Sequence, residues 1–261
     1  MGLNIIYNEN CLETMKRMEN CYVDLTVTSP PYDNLRKYEG YDFNFSKIAQ
    51  ELFRVTKDGG VIVWVVNDST VNGSKTLTSF KQAILFKETG FNIHDVMIYE
   101  KTGISNPSNV RYHQIFEYMF ILSKGKPKTF NPIKDRKNVY QGKRGGSLRA
   151  DKTKPRRAPV EPTEYGMRFN IWKYNNGGNG NISEDKIVHQ HPAPFPENLV
   201  KDHILSWSNE NDIVYDPFMG SGTTAKMAFL TKRFYIGSEI SGSYYKIAEQ
   251  RLSKYQNTLW D

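Results

Sequence analysis

Short apolar runs alternate with stretches of helical periodicity over most of the 261-residue chain, the pattern of an α/β sheet covered on its faces. Seven runs read as strands: Asn4–Tyr7, Asp24–Thr28, Val61–Val66, Asp95–Tyr99, Phe116–Leu122, Asp212–Tyr215 and Phe234–Gly237. Phe45, Ile48, Ala49 and Leu52 recur on one face of a helix predicted over Phe45–Phe53. Tyr244, Ile247, Ala248 and Leu252 do the same over Tyr244–Leu252. Asp58-Gly59-Gly60 is expected to be the turn that ends the first helix and launches the strand Val61–Val66.

The pattern breaks between Lys124 and Asp185, where Lys, Arg, Gly and Pro dominate and no period is sustained. NNGGNGN at 175–181 has the composition of a loop. A bare linker would not carry Phe130, Val139, Tyr140, Tyr165, Phe169, Ile171 and Trp172. Residues 124–185 therefore read as an inserted basic module, and residues 1–123 with 186–261 as the α/β domain that receives it.

Composition is that of an ordinary folded domain, 38% hydrophobic and 24% charged. No apolar run is long enough to cross a bilayer, and MGLNIIYNENCLETM lacks the basic-then-apolar order of a secretory leader. With only Cys11 and Cys21, neither in metal-ligand spacing, a cytoplasmic protein with reduced thiols is the expectation. The net charge of +7 makes a polyanionic partner plausible without demanding one.

Two motifs carry candidate chemistry. Thr28-Ser29-Pro30-Pro31-Tyr32 follows the strand run VDLTV directly. Neither proline can donate to a sheet, so the chain turns out at the strand's carboxyl end, where open α/β sheets hold ligands. Ser29 offers a hydroxyl there, the prolines offer rigid carbonyls, and Tyr32 offers a flat face. The second motif, Asp216-Pro217-Phe218-Met219-Gly220-Ser221-Gly222-Thr223-Thr224, lies between a strand and the helical run TTAKMAFL. It has the strand–glycine loop–helix form of a nucleotide-type cofactor site. The spacing is neither that of a P-loop nor GxGxxG. Its leading Asp216 suits a ligand bearing an ammonium group. The next strand ends at Ser238-Glu239, where a carboxylate can take both hydroxyls of a ribose.

Together the motifs closely resemble the amino-methyltransferase family of DNA methyltransferases, in the permuted order with the catalytic loop before the cofactor loop. The carrying residues are TSPPY at 28–32, HPAPFPENLV at 191–200, DPFMGSGTT at 216–224 and SEI at 238–240. The resemblance implies a seven-stranded mixed sheet with helices on both faces, a Rossmann-like class I methyltransferase. It implies S-adenosylmethionine as cofactor, held by Thr28, Phe195, Asp216, Pro217, Phe218, Gly220, Ser221, Gly222, Thr223 and Glu239. YNENCLETM looks like the family's adenine-contacting segment, which adds Asn10 and Cys11, although relatives usually carry Asp where Asn10 stands. Ser29, Pro30, Pro31 and Tyr32 would hold a flipped base, with Ser29 and the Pro30 carbonyl accepting the hydrogens of its exocyclic amine.

Ser29 favours cytosine N4 as the acceptor, because family members that act on adenine N6 more often have Asp there. Methylation of RNA or of a protein amide, or DNA binding without catalysis, are the other readings the motifs leave open. Double-stranded DNA is the implied partner, met by Lys143, Arg144, Arg149, Lys152, Lys154, Arg156 and Arg157 of the insertion. A companion restriction endonuclease and a homodimer are both compatible with the resemblance. His189, His191 and His203 cluster in sequence, but without a cysteine beside them a structural role is expected rather than a metal site.

Overall fold

The computed structural model describes residues 1–31, 44–104, 107–139, 163–175, 182–191 and 195–256. In chain order the strands are β1 (Ile5–Tyr7), β2 (Val23–Thr28), β3 (Thr56–Val66), β4 (Thr70–Val71), β5 (Ser74–Lys75), β6 (Asn92–Lys101), β7 (Phe116–Ser123), β8 (Arg136–Lys137), β9 (Tyr165–Gly166), β10 (Ile171–Tyr174), β11 (Ile213–Asp216) and β12 (Phe234–Ser238). The α-helices are α1 (Cys11–Arg17), α2 (Phe45–Val55), α3 (Thr78–Thr89), α4 (Glu197–Trp207), α5 (Thr223–Leu230) and α6 (Gly242–Gln256), with a 3-10 turn at Lys186–Gln190.

Eight strands form one mixed sheet in the order β1-β12-β11-β2-β3-β7-β6-β10. From β1 to β3 every pairing is parallel, β7 is antiparallel to both its neighbours, and β10 lies parallel to β6. Parallel strands buried on both faces are apolar throughout, as the VIVWVV of β3 is, with every residue from Val61 to Val66 buried. Alternation sends Ile62, Trp64 and Val66 to one side, where they pack with Cys11 and Met15 of α1, Ile48 and Leu52 of α2, and Phe86 of α3. Phe120, opposite Trp64, joins that side. Its neighbour Met119 points the other way and meets His203 of α4, Sδ to Nε2 3.2 Å. Helices therefore cover both faces.

Two expectations need correcting. The sheet has eight strands, not seven. The extra one, β10, comes from the stretch read as irregular insertion; four residues with only Trp172 buried leave no readable period. Asp58-Gly59-Gly60 is not a turn but a bulge inside β3. Val23 pairs with Thr56 and Leu25 with Val61, so the intervening residues loop out of register. Gly59 takes φ +78° there, and its N–H donates to the Lys124 carbonyl at 2.7 Å.

The chain divides into two compact units, 1–131 with 170–261, and 132–169. At the ends of the first unit's two segments stand two asparagines. Asn131 binds α4 through its N–H to the Ser206 carbonyl (2.8 Å) and its amide to the Leu205 and Ser208 carbonyls. Asn170 accepts the Ile98 N–H at 2.9 Å. The smaller unit has the two-stranded β8–β9 ribbon, an Arg168–Asp135 ion pair and Arg136 over the Phe169 ring at 4.5 Å. Among the described residues no helix is long and apolar enough to cross a membrane.

In the core, Trp64 is fully buried and its indole N–H donates to Gln82 Oε1 at 2.8 Å. Gln82→Leu strands that donor among apolar side chains. The expected loss is about 1–3 kcal/mol, read as a lower urea midpoint with an unchanged m-value. An unchanged midpoint would show that the pair contributes nothing to stability.

Candidate active site

Neighbouring parallel strands β2 and β11 end side by side, and both motif loops leave the sheet from that edge. The connection from β2 leads towards α2 on one face and that from β11 to α5 on the other, the arrangement that gives open α/β sheets their ligand crevice. Across it the Thr28 hydroxyl donates to Asp216 Oδ1 at 2.6 Å. Ser29 and Pro31 are half-buried and Pro30 is buried. Tyr32 lies outside the described residues, as do Lys143, Arg144, Arg149, Lys152, Lys154, Arg156 and Arg157.

The loop after β11 is built on its glycines. Gly220 and Gly222 have φ +54° and +81°, a region that side chains disfavour. A Cβ on Gly220 would come within 3.1 Å of His191 Nε2, and one on Gly222 within 3.0 Å of the Ala248 Cβ. His191 thus packs against the loop, its ring also edge-on to Tyr244 at 4.5 Å. Pro217 is buried, and Phe218 is half-buried edge-on to Trp64.

Asp216 is 3% exposed. Burial pushes its pKa up to about 6, against hydrogen bonds from Thr28, Thr224 and the Phe218 N–H that favour the charged form. Glu239, just past β12, is raised as well, again chiefly by burial. Its Oε2 accepts the Gly220 N–H at 2.7 Å and its Oε1 the Ser241 N–H at 2.8 Å, and the Ile240 N–H also bonds to the carboxylate. One strand further on, Asn8 donates to the Glu239 carbonyl at 2.8 Å. Asn10 caps α1, its Oδ1 accepting the Leu12 N–H at 2.9 Å. Asp or Asn serves equally in that role, so the residue type there reflects the helix start as much as any ligand. Cys11 is buried in the core under β11 and β12. Phe195 is half-buried immediately before α4.

Sequence reasoning missed a buried ionic cluster behind the loop. Lys226 Nζ lies 2.8 Å from Asp185 Oδ2 and 2.7 Å from Glu197 Oε1. Arg251 Nε lies 2.9 Å from Asp185 Oδ2, and its Nη2 also pairs with Glu197. Burial opposes ionisation of Asp185, yet hydrogen bonds from Lys226, Arg251 and Tyr255 outweigh it and hold the pKa at about 2. The available signal was a charge on an apolar helix face: Lys226 within TTAKMAFL, and Arg251 beside Leu252 on the buried side of α6. His203 is in the core, stacked on Trp172 at 4.5 Å. Trp64 is a core residue too, separated from the crevice by Phe218.

A family profile described as DNA methylase matches residues 23–250. The orphan methyltransferase M.BamHII of Bacillus amyloliquefaciens is 61% identical over 241 residues, which cover 90% of this chain and 91% of that protein. The type II methyltransferase M.BglII of Bacillus subtilis is 30% identical over 276 residues, covering 96% of this chain and 69% of its own length. Two solved structures share the fold. PvuII DNA methyltransferase (cytosine-N4-specific) gives a TM-score of 0.69 at 20% identity, over 97% of this chain and 90% of that one. The M1.HpyAVI–SAM complex gives 0.64 at 24%, over 95% and 98%.

The raised pKa of Asp216 has a measurable consequence. Between its ordinary value of 3.8 and about 6 the folded chain holds a proton that the unfolded chain has lost. The stability from that proton is complete below the ordinary value and disappears as pH rises through about 6, by up to about 3 kcal/mol. Asp216→Asn should flatten this part of the stability–pH curve, measured by urea midpoints from pH 4 to 7. Parallel curves for mutant and wild type would mean that the carboxyl does not titrate in this window.

Proposed function

The chain belongs to the N6/N4 DNA methylase family, and on that premise we propose that it moves a methyl group from S-adenosylmethionine onto the exocyclic amine of a base in DNA, cytosine N4 being the acceptor. The observation that carries this reading is the hydrogen bond from Thr28 to Asp216. It joins a loop suited to a planar amine and a loop suited to an amino-acid-bearing cofactor at one crevice.

Strand order offers a test of fit. Outward from β2, the edge meets Asp216 at the end of β11, Glu239 after β12 and Asn10 after β1, at about 4.8 Å per strand. A carboxylate whose pKa burial raises gains most from a cation, which suits Asp216 to an ammonium. Glu239, a carboxylate at the next strand end, suits the two hydroxyls of a ribose. Asn10 and the start of α1 then meet the adenine, while Gly220, Ser221, Gly222 and Thr223 bring the backbone close to the methionine portion. Phe195 and Pro217 supply apolar walls. Bound there, S-adenosylmethionine supplies an electrophilic methyl group on a sulfonium.

The protein's part is to hold and activate the amine. Its lone pair is delocalised into the ring, and acceptors aimed at both hydrogens draw it back onto nitrogen. Ser29 Oγ and the Pro30 carbonyl accept hydrogen bonds from those hydrogens, and one proton passes to solvent as the methyl group leaves the sulfonium for nitrogen. Pro30 and Pro31 fix the backbone that aims them, and Tyr32 stacks on the base, which must leave the duplex to arrive. Ser29 in place of Asp is the feature that favours cytosine N4 over adenine N6.

Ser29→Ala should lower methyl transfer on the order of 10²-fold with cofactor affinity kept. Mass spectrometry of nucleosides from DNA of expressing cells should show N4-methylcytosine. N6-methyladenine alone would overturn the base assignment, and no modified base would overturn the activity.

Lys143, Arg144, Arg149, Lys152, Lys154, Arg156 and Arg157 form the DNA-contacting set in this reading, supported by their density in a stretch broken by Gly and Pro. Replacing Lys143, Arg144 and Arg149 together should reduce the slope of log K against log salt by roughly 2 to 3, with cofactor affinity unchanged. A triple variant that keeps the wild-type slope would remove these residues from the interface.

A further inference from the structure

The four-charge cluster is expensive to bury, and apolar side chains of similar volume often stabilise a protein as well or better. Its members do not share one task. Lys226 and Tyr255 reach the carboxylates, with Tyr255 donating to Asp185 Oδ1 at 2.9 Å. Of the four charged side chains, Arg251 alone also hydrogen-bonds the loop, among the described residues. Its Nη1 donates to the Ser221 carbonyl and to Thr223 Oγ1, both at 2.9 Å, and its side chain is wholly buried.

Ser221 lies between Gly220 and Gly222, both at positive φ. A peptide between two glycines has few steric limits on its orientation. The guanidinium supplies one, because its Nη1 binds the carbonyl inside the glycine pair and the hydroxyl just after it while Nε and Nη2 fix the plane on the two carboxylates. The same fork is anchored by Asp185 and Glu197, which flank residues 186–196, the stretch that brings His191 against Gly220.

We propose that Arg251 is a positioning residue for the cofactor loop: it sets the orientation of the Ser221 peptide and locks the loop to the segment that carries His191 and Phe195. This rests on the reading of residues 216–224 as the S-adenosylmethionine loop. Lysine at 251 keeps the charge but offers a single nitrogen, which cannot hold Asp185 and Glu197 and reach the Ser221 carbonyl and Thr223 hydroxyl at the same time.

The test compares two variants by titration calorimetry with S-adenosylmethionine and by steady-state methyl transfer. Arg251→Lys should raise the cofactor Kd and KM about tenfold, with kcat at saturating cofactor and KM for DNA within about twofold of wild type. Tyr255→Phe loosens the same cluster without touching the loop and should leave cofactor affinity within about twofold. A folded Arg251→Lys with wild-type affinity overturns the proposal, and so does an equal loss in Tyr255→Phe, which would mark general loosening. Should Arg251→Lys fail to fold, Glu197→Gln weakens the anchor of the fork while keeping its shape, and should raise the cofactor Kd about threefold; unchanged affinity there overturns the proposal equally. Wild-type protein that does not bind S-adenosylmethionine would instead sink the functional reading beneath it.

Discussion

The hydrogen bond between Thr28 and Asp216 ties together parts of the chain separated by 188 positions, and the site is organised around it. It exists because β2 and β11 are adjacent parallel strands whose onward connections part to opposite faces of the sheet. The crevice, the position of Ser29 and the start of the glycine loop all follow from that parting. Neither motif would make a site alone: a Pro-Pro exit without a neighbouring loop is only a strand end, and a glycine loop without a facing acceptor is only a pocket.

Among the described residues the buried carboxyls fall into two kinds. Asp185 sits between two cations, which hold it ionised far below neutral pH. Asp216 and Glu239 receive only hydroxyl and N–H donors, so burial governs them and both are raised. The first kind is already neutralised by the protein and serves as internal scaffolding. The second keeps an unmet demand for positive or hydrogen-bonding partners, which is the condition expected of groups that await a ligand.

Much of this was legible in the sequence, and for definite reasons. Val61–Val66 of β3 is buried on both faces, so it reads as an unbroken apolar run, and β2, β11 and β12 are short, β-branched or aromatic-rich and mostly buried. The two loops carry rigid or permissive residues in orders that few other structures need. What escaped depends on partners remote in sequence. β10 is a strand only because β6 offers it an edge. Gly59 and Gly60 look like a turn, and only the register of β2 against β3 shows a bulge. Asn10 reads as a ligand position, but it also starts a helix. Lys226 and Arg251 announce no function until the fold sets Asp185 and Glu197 between them.

Asn131 and Asn170 give the chain natural seams. Each closes its own hydrogen bonds within the larger unit, and among the described residues every strand pairing of the main sheet is made without the 38 residues between them. An exchange of that interval for one of different length or charge, cut just inside the two asparagines, leaves every strand pairing of the main sheet in place. Such a layout allows the interval to be transplanted while the sheet stays fixed, and it marks where a chimaera should be joined.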